Sequence, residues 1–337
     1  MKTMTLRRAL TAGMAGLAAF ALAACTAAPA GQTPAPEATD GASGPERASI
    51  RLIIGPVFYE PIRIAEEQGF FEEQNLDVTV IEGGTASENA AQLIAGQADI
   101  AMSGGVSVIQ GAVEGLGIRT ILGGTSSDPD VATSGLVALP SSGLKSYADL
   151  GGKTVALQGL NETTHLGTLL GAKEAGVDTS TITFVQLPLP NLNDAVLSGE
   201  VDAAYPIGVF YGAGLEAGLE VFGTPSSDVL AYGPSVVHAA TDKYVEENED
   251  VVKRYQAAVI KAAEFGRADN FAAIRDIQLK FTKQDPEYIK TATLAGYQTD
   301  LYRSGFQATL DGMYEFGFIT KKLTIDDVIS PIAPLVD

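Results

Sequence analysis

The residues able to do chemistry in this chain are carboxylates, hydroxyls and aromatics. The 337 residues include one Cys and two His. That count excludes an internal disulfide, an iron–sulfur cluster and a thiolate zinc site, and leaves too few ligands for a His-rich metal centre. No metal and no cofactor are expected. A phosphate loop needs Gly-x-x-x-x-Gly-Lys-Ser/Thr; Gly152-Lys153-Thr154 supplies its end, but Tyr147 stands where the first Gly must be. Gly212-Ala213-Gly214-Leu215-Glu216-Ala217 fits a dinucleotide pattern loosely, without the strand that should precede it. No Gly-x-Ser-x-Gly elbow occurs. Carboxylates are plentiful, yet nothing in their spacing recommends a paired-carboxylate hydrolase. Polar and aromatic residues gather instead in five short segments, 55–59, 82–88, 103–107, 158–164 and 205–211.

Each of these segments follows a β-rich run, and several precede a helix. Residues 50–54, 78–81 and 98–101 read as strands, with helices over 61–68 and 86–95 that stop at Gly69 and Gly96. The pattern recurs as strands over 154–157, 182–185 and 201–204, with helices over 163–174 and 191–198. Strand–helix–strand order at this spacing implies right-handed βαβ units on a parallel sheet. Residues 93–101 (LIAGQADIA) and 196–204 (VLSGEVDAA) keep a helix–Gly–x–x–Asp–strand order. Asp99 and Asp202 are therefore read as structural, fixing equivalent turns. From residue 244 onward the spacing is helical, over 251–265, 271–281 and 286–301, and these helices are expected to pack back onto the first lobe.

The length exceeds the ~250–300 residues at which single cores stop growing, so two folded units are expected. Hydrophobic residues make up 46% and charged residues 19%, as in globular proteins. The formal charge is −19 and no basic cluster offsets it, which excludes nucleic acid as a partner. Lys2, Arg7 and Arg8 precede an Ala-rich apolar run over 9–21, too short for a permanent span. Leu22-Ala23-Ala24-Cys25 follows, and its Cys is the only one. This resembles a bacterial lipobox, which implies a signal peptide over 1–24 and a lipidated Cys25 bearing acyl chains such as palmitate. Residues 25–48 are small, polar and broken by four prolines, so a flexible tether is expected.

Three segments carry a wider resemblance. They are 61–71 (PIRIAEEQGFF) with 75–78 (NLDV), 91–101 (AQLIAGQADIA), and the stretch from 150–155 (LGGKTV) through Thr164-His165 to 199–203 (GEVDA). In this order, behind a lipobox, they resemble the substrate-binding proteins of ABC importers, in the branch that carries nitrate, taurine, alkanesulfonates or thiamine pyrimidine precursors. The resemblance implies an α/β, two-lobe type II periplasmic-binding-protein fold. Each lobe is a mostly parallel sheet flanked by helices, with the ligand cleft between lobes. Crossings are expected near 136–139 and 234–238, giving one lobe from 50–137 plus 239–337 and the other from 138–235. It also implies no enzymatic activity, a monomer, a small-molecule solute, a permease and its ATPase as partners, and a place on the outer side of the cell membrane, held by Cys25. Some relatives make the thiamine pyrimidine through a cysteine-rich segment; residues 158–165 (QGLNETTH) hold no Cys.

Ligands of open α/β sheets sit beyond the carboxyl ends of the strands, where helix N-termini offer free N–H groups. The expected contacts are Phe58, Tyr59, Thr85, Ser87, Ser103, Gly104, Asn161, Glu162, Thr163, Thr164, His165 and Tyr205. None of the five segments contains Lys or Arg, although Arg63 lies nearby in the chain, whereas Glu60, Glu82, Glu88 and Glu162 lie within or beside them. Aromatic walls with carboxylates suit a neutral or cationic, heteroaromatic solute, such as a pyrimidine or vitamin precursor. An anion held by N–H groups and hydroxyls alone is the alternative.

Overall fold

The structure is a computed structural model and describes residues 45–337. The expected leader, Cys25 and the tether up to residue 44 lie outside the described residues. The tether's expected last residue, Ala48, instead opens β1 (Ala48–Ile54), where it pairs with Leu76. Ile50, Leu52, Ile53 and Ile54 are all buried, the pattern of a strand covered on both faces.

The first sheet is built from β1, β2 (Leu76–Glu82), β3 (Ile100–Ser103) and β4 (Ile118–Ser126). Helices α1 (Glu60–Glu67), α2 (Phe70–Glu73), α3 (Ala86–Ile94) and α4 (Gly105–Val113) connect them. The second sheet holds β5 (Leu136–Ala138), β6 (Thr154–Leu157), β7 (Thr183–Gln186), β8 (Ala203–Ala204) and β9 (Glu220–Gly223). Its helices are α5 (Thr163–Glu174), α6 (Leu192–Leu197), α7 (Val209–Glu216) and α8 (Pro225–Asp228). The chain then returns as β10 (Pro234–Thr241). Strand orders are β2-β1-β3-β10-β4 and β7-β6-β8-β5-β9. In each sheet one strand, β10 or β5, runs antiparallel to both neighbours while the β1–β2–β3 and β6–β7–β8 pairings are parallel.

The repeated Gly-x-x-Asp turn has one physical role in both lobes. The Asp99 carboxylate accepts the Arg51 N–H at 2.8 Å, and the Asp202 carboxylate accepts the Thr154 N–H at 2.8 Å. In return the Asp99 and Asp202 N–H groups donate to the Arg51 and Thr154 carbonyls. Each Asp thus pins the start of a strand to its parallel neighbour.

Two expectations differ from what is found. The residues expected as crossings, 136–139 and 234–238, are largely strand; the chain passes between lobes at 127–135 and 229–233. The reason is burial: Leu136, Val137 and Ala138 are fully covered at the centre of a sheet, as are Val237, Ala239 and Ala240. Solvated hinge backbone suits the exposed Pro129 and Asp130 better. The helix expected over 286–301 ends early, as α11 (Pro286–Thr291). Residues 292–300 are irregular because tertiary contacts claim their backbone. The Thr299 carbonyl accepts the Gly123 N–H, and the Ala292 carbonyl accepts from the Arg275 guanidinium at 3.0 Å.

The remaining helices are α9 (Asp242–Glu247), α10 (Glu249–Phe281) and α12 (Arg303–Glu315). α10 is interrupted at Ala268–Phe271, where the backbone leaves helical geometry. Its Tyr255, Ala258, Val259 and Ala262 join Ile62, Ile64 and Ala65 of α1 in the first-lobe core. Among the described residues, no helix is long and apolar enough to cross a membrane.

Leu52 lies at the centre of that core with no exposure. Leu52→Ala should therefore lower unfolding stability by about 2–5 kcal/mol, read from urea denaturation followed by circular dichroism. A loss below about 1 kcal/mol would contradict the packing described.

Candidate functional site

Loops from the carboxyl ends of both sheets enclose a cavity of about 110 Å³. At ~10–15 Å³ per water this is room for a small organic molecule. The first lobe contributes the loop after β1 (Gly55, Pro56, Val57, Phe58) and the starts of α3 (Ala86) and α4 (Gly104). The second contributes Gln158, the start of α5 (Glu162, Thr163, Thr164), Ile207 and the start of α8 (Ser226, Ser227). The first crossing adds Ser127, Asp128, Thr133 and Ser134, and the start of β10 adds Ser235.

Glu162 joins the lobes. Its carboxylate accepts the Ser87 N–H at 3.1 Å and the Ser87 hydroxyl at 2.7 Å. Ser87 stands in the first turn of α3, so a second-lobe carboxylate occupies a first-lobe helix N-terminus. Nearby, the Gln110 amide donates to the Asn161 carbonyl at 3.2 Å. Gly104 permits this approach: a Cβ there would stand 3.3 Å from the Ala86 Cβ and 3.5 Å from the Thr163 Oγ1. Neither Gly104 nor Glu162 caps its own helix with a side chain, which leaves first-turn N–H groups of α4 and α5 beside the cavity.

Glu162 and Asp128 are the charged residues lining the cavity, and no Lys or Arg lines it. Arg63 pairs with Glu66 and Glu82 and lies over the Phe281 ring instead. Among the described residues, no group of three His, Cys, Asp or Glu could hold a metal ion. Phe58 adopts φ +61°, a left-handed conformation uncommon for an aromatic residue, and its ring meets Tyr297 edge-on at 6.4 Å. Tyr297 is itself at φ +48°. On the opposite side stands Gly208, where a Cβ would lie 3.6 Å from the Phe58 ring.

Of the residues expected from sequence, Phe58, Ser103, Gly104, Glu162, Thr163 and Thr164 line the cavity. The others do not. Thr85 is spent on a capping box with Glu88. Ser87 is spent on Glu162. Tyr59 packs in the core, edge-on to Phe281 at 6.4 Å, and burial pushes its hydroxyl pKa up. Tyr205 is buried in the second-lobe core, its hydroxyl 2.8 Å from the Ser226 Oγ, so it supports a lining residue from behind. Asn161, at φ +57°, donates its N–H to His165 Nδ1 at 3.0 Å. His165 lies against Phe184 and Phe318, and burial depresses its pKa to about 4.

Sequence reasoning missed the hydroxyl-rich residues in and beside the crossings, notably Ser127, Thr133 and Ser134 within them and Thr125, Ser226 and Ser235 in the flanking elements. Their signal was present as Ser/Thr runs at 125–127 and 133–134, but the crossings were placed too late in the chain. Asn89 was also missed. It lines the cavity with every polar atom engaged, donating to the Ile54 and Met102 carbonyls and accepting the Gly84 N–H.

Comparison with known proteins follows the same lines. The family described as NMT1/THI5 like matches residues 59–272. The 4-amino-5-hydroxymethyl-2-methylpyrimidine phosphate synthase THI13 of Saccharomyces cerevisiae is 22% identical over 232 residues, 65% of this chain and 66% of that protein. The match thus spans just under two thirds of that relative's length. The alkanesulfonate-binding protein SsuA of Xanthomonas axonopodis pv. citri, bound to MOPS, superposes with a TM-score of 0.72 at 17% identity, covering 87% of this chain and all of that one. The periplasmic nitrate-binding protein NrtA of Synechocystis PCC 6803 gives 0.68 at 14% identity, covering 80% and 82%. At these identities the structural likeness speaks for the fold: two helix-flanked α/β lobes of the periplasmic-binding-protein type.

The depressed pKa values of His165 (about 4) and His238 (about 3) fix a pH dependence, both caused by burial. The unfolded chain takes up these protons near the ordinary 6.5, before the folded chain does. The stability they confer is complete above that value and is lost as pH falls towards 4 and then 3. Melting temperature should therefore drop between pH 6.5 and 4, and His165→Phe should flatten part of that drop in a thermal-shift series. An unchanged slope would remove His165 from this role.

Proposed function

Because the chain belongs to the NMT1/THI5-like family, we propose that it is the solute-binding lipoprotein of an ABC importer. It captures a neutral or cationic heteroaromatic solute, such as a pyrimidine, by closing its lobes, and delivers it to a permease and its ATPase. In this reading the protein works as a monomer held to the outer face of the membrane by Cys25. The importer role is supported by the fold shared with sulfonate- and nitrate-binding proteins. The choice of solute rests on one observation: the Glu162 carboxylate sits on the N-terminus of α3 within a cavity lined by no Lys or Arg.

Magnitudes decide between cation and anion. An anion ~5 Å from Glu162 would meet about 3 kcal/mol of repulsion at an effective dielectric of ~20. A helix N-terminus returns ~0.3–2 kcal/mol. Of the helix N-termini at the cleft, that of α3 is already held by the protein's own carboxylate, and the open ones of α4 and α5 stand close to that same charge. A pyrimidine meets no such cost, and finds one aromatic wall in Phe58 and hydroxyl partners in Thr163, Thr164, Ser226 and Ser235.

A second reading, synthesis of a thiamine pyrimidine, is favoured by the name of the yeast relative. It lacks support from the residues: the only Cys is Cys25, and no His lines the cavity.

Calorimetric titration should show saturable binding of 4-amino-5-hydroxymethyl-2-methylpyrimidine, recovered unchanged, and no heat from MOPS or nitrate. Glu162→Gln should raise affinity for MOPS about tenfold or more by removing the repulsion. Tight sulfonate binding by the unaltered protein, without response to pyrimidines, would refute the choice of solute. A chemically altered pyrimidine would refute the transport role.

A further inference from the structure

A second, smaller compartment of about 20 Å³ adjoins the cleft. Pro56, Val57, Phe58, Thr133 and Ala295 line both, so Phe58 stands on the wall between them. The small compartment is lined by Glu60 and Gln278, which are 3% and 2% exposed. Neither takes part in the cleft described above.

Their polar atoms are only half satisfied. The Gln278 amide nitrogen donates to Glu60 Oε1 at 2.8 Å. Gln278 Oε1 is buried with no partner, and Glu60 Oε2 makes no well-aligned bond, the Tyr297 hydroxyl lying beside that carboxyl. Each such atom destabilises the fold unless a donor reaches it. No Lys or Arg lines the compartment. Arg275, whose charge is felt at neighbouring Tyr297, spends its guanidinium on the Ile289 and Ala292 carbonyls. Burial by itself drives Glu60 towards its neutral form; a small cationic group with several donor protons would instead hold it ionised and reach both open oxygens. At ~10–15 Å³ per water, 20 Å³ admits one or two heavy atoms, the size of an amino nitrogen with its methylene.

We propose that Glu60 and Gln278 form a rear subsite that takes a primary amino group carried on a one-carbon arm of the solute, admitted past Phe58. The inference rests on the solute-binding reading above and specifies its ligand. Phe58 suits the role of gate. It and Tyr297, its edge-on partner, both hold left-handed backbone, and such strained conformations cluster at ligand clamps and switches. Gly208 borders the ring, where a Cβ would touch it at 3.6 Å.

The test compares the unaltered protein with Glu60→Gln and Gln278→Met, each first checked for an unchanged circular dichroism spectrum. Calorimetry is run with 3-(aminomethyl)pyridine and 3-methylpyridine, and thermal shift with methylammonium chloride against sodium chloride at equal ionic strength. The expected result is about tenfold tighter binding of the aminomethyl compound, abolished in both variants, which corresponds to ~1.4 kcal/mol. Methylammonium should raise the melting temperature of the unaltered protein alone. If both pyridines bind equally in all three proteins, the solute reading stands and the subsite is overturned. If neither pyridine binds, the heteroaromatic reading falls and methylammonium decides the subsite by itself. A shift lost in Glu60→Gln and Gln278→Met sustains it, and no shift, as for a compartment holding only water, overturns it. Should Gln278→Met not fold, Glu60→Gln, which keeps shape and volume, carries the decision.

Discussion

Each sheet is completed by a strand that the chain adds immediately after arriving from the other lobe. β5 follows the outward crossing and β10 follows the return, and each is inserted between parallel strands as their antiparallel neighbour. A strand buried in that position cannot slide or peel away without breaking two ladders. The crossings are therefore short and pinned side by side. The Tyr232 N–H donates to the Ser127 carbonyl, the Ser127 N–H to the Gly233 carbonyl, and the Ser127 and Ser235 hydroxyls lie 2.7 Å apart. The cleft lies beside this seam, and under the proposed function a solute that touches both walls would favour a closed form by its differential affinity.

The charge pattern of the cleft follows from the same arrangement. Parallel strands deliver helix N-termini to the interface from both sides, which by itself favours an anion. This chain fills one of those positions with Glu162, so the same bond that clasps the lobes also sets the sign of the cavity. Under the proposed function, closure and selectivity would both depend on this one carboxylate.

The sequence was most legible where local signals and global fold agree. Strand β6 and helix α5 fall at the expected residues because a β-branched run, a polar turn and a helical apolar period meet there without competition. The repeat around Asp99 and Asp202 was legible because the same hydrogen-bonding duty imposes the same spacing twice. That Glu162, Thr163 and Thr164 line the cavity was legible because a strand end followed by a helix start is visible in one dimension. Tyr59 and Tyr205 were misjudged for a related reason: an aromatic at a strand end faces either the cleft or the core, and only packing decides which.

What the sequence determined by itself was the α/β alternation, the acidic character, the scarcity of Cys and His, and the loops that must carry the site. These depend on residue types and short-range periodicity, which no folding event alters. Tertiary structure alone decided where the crossings lie, since burial of 136–138 and 234–241 depends on neighbours far away in the chain. It also decided that residues 292–300 would forgo a helix to satisfy Gly123 and Arg275, and that Glu162 would reach Ser87, 75 residues away, to close the cleft. Such pairings are set by the energy of burying two distant segments against each other, and that energy has no trace in the local order of residues.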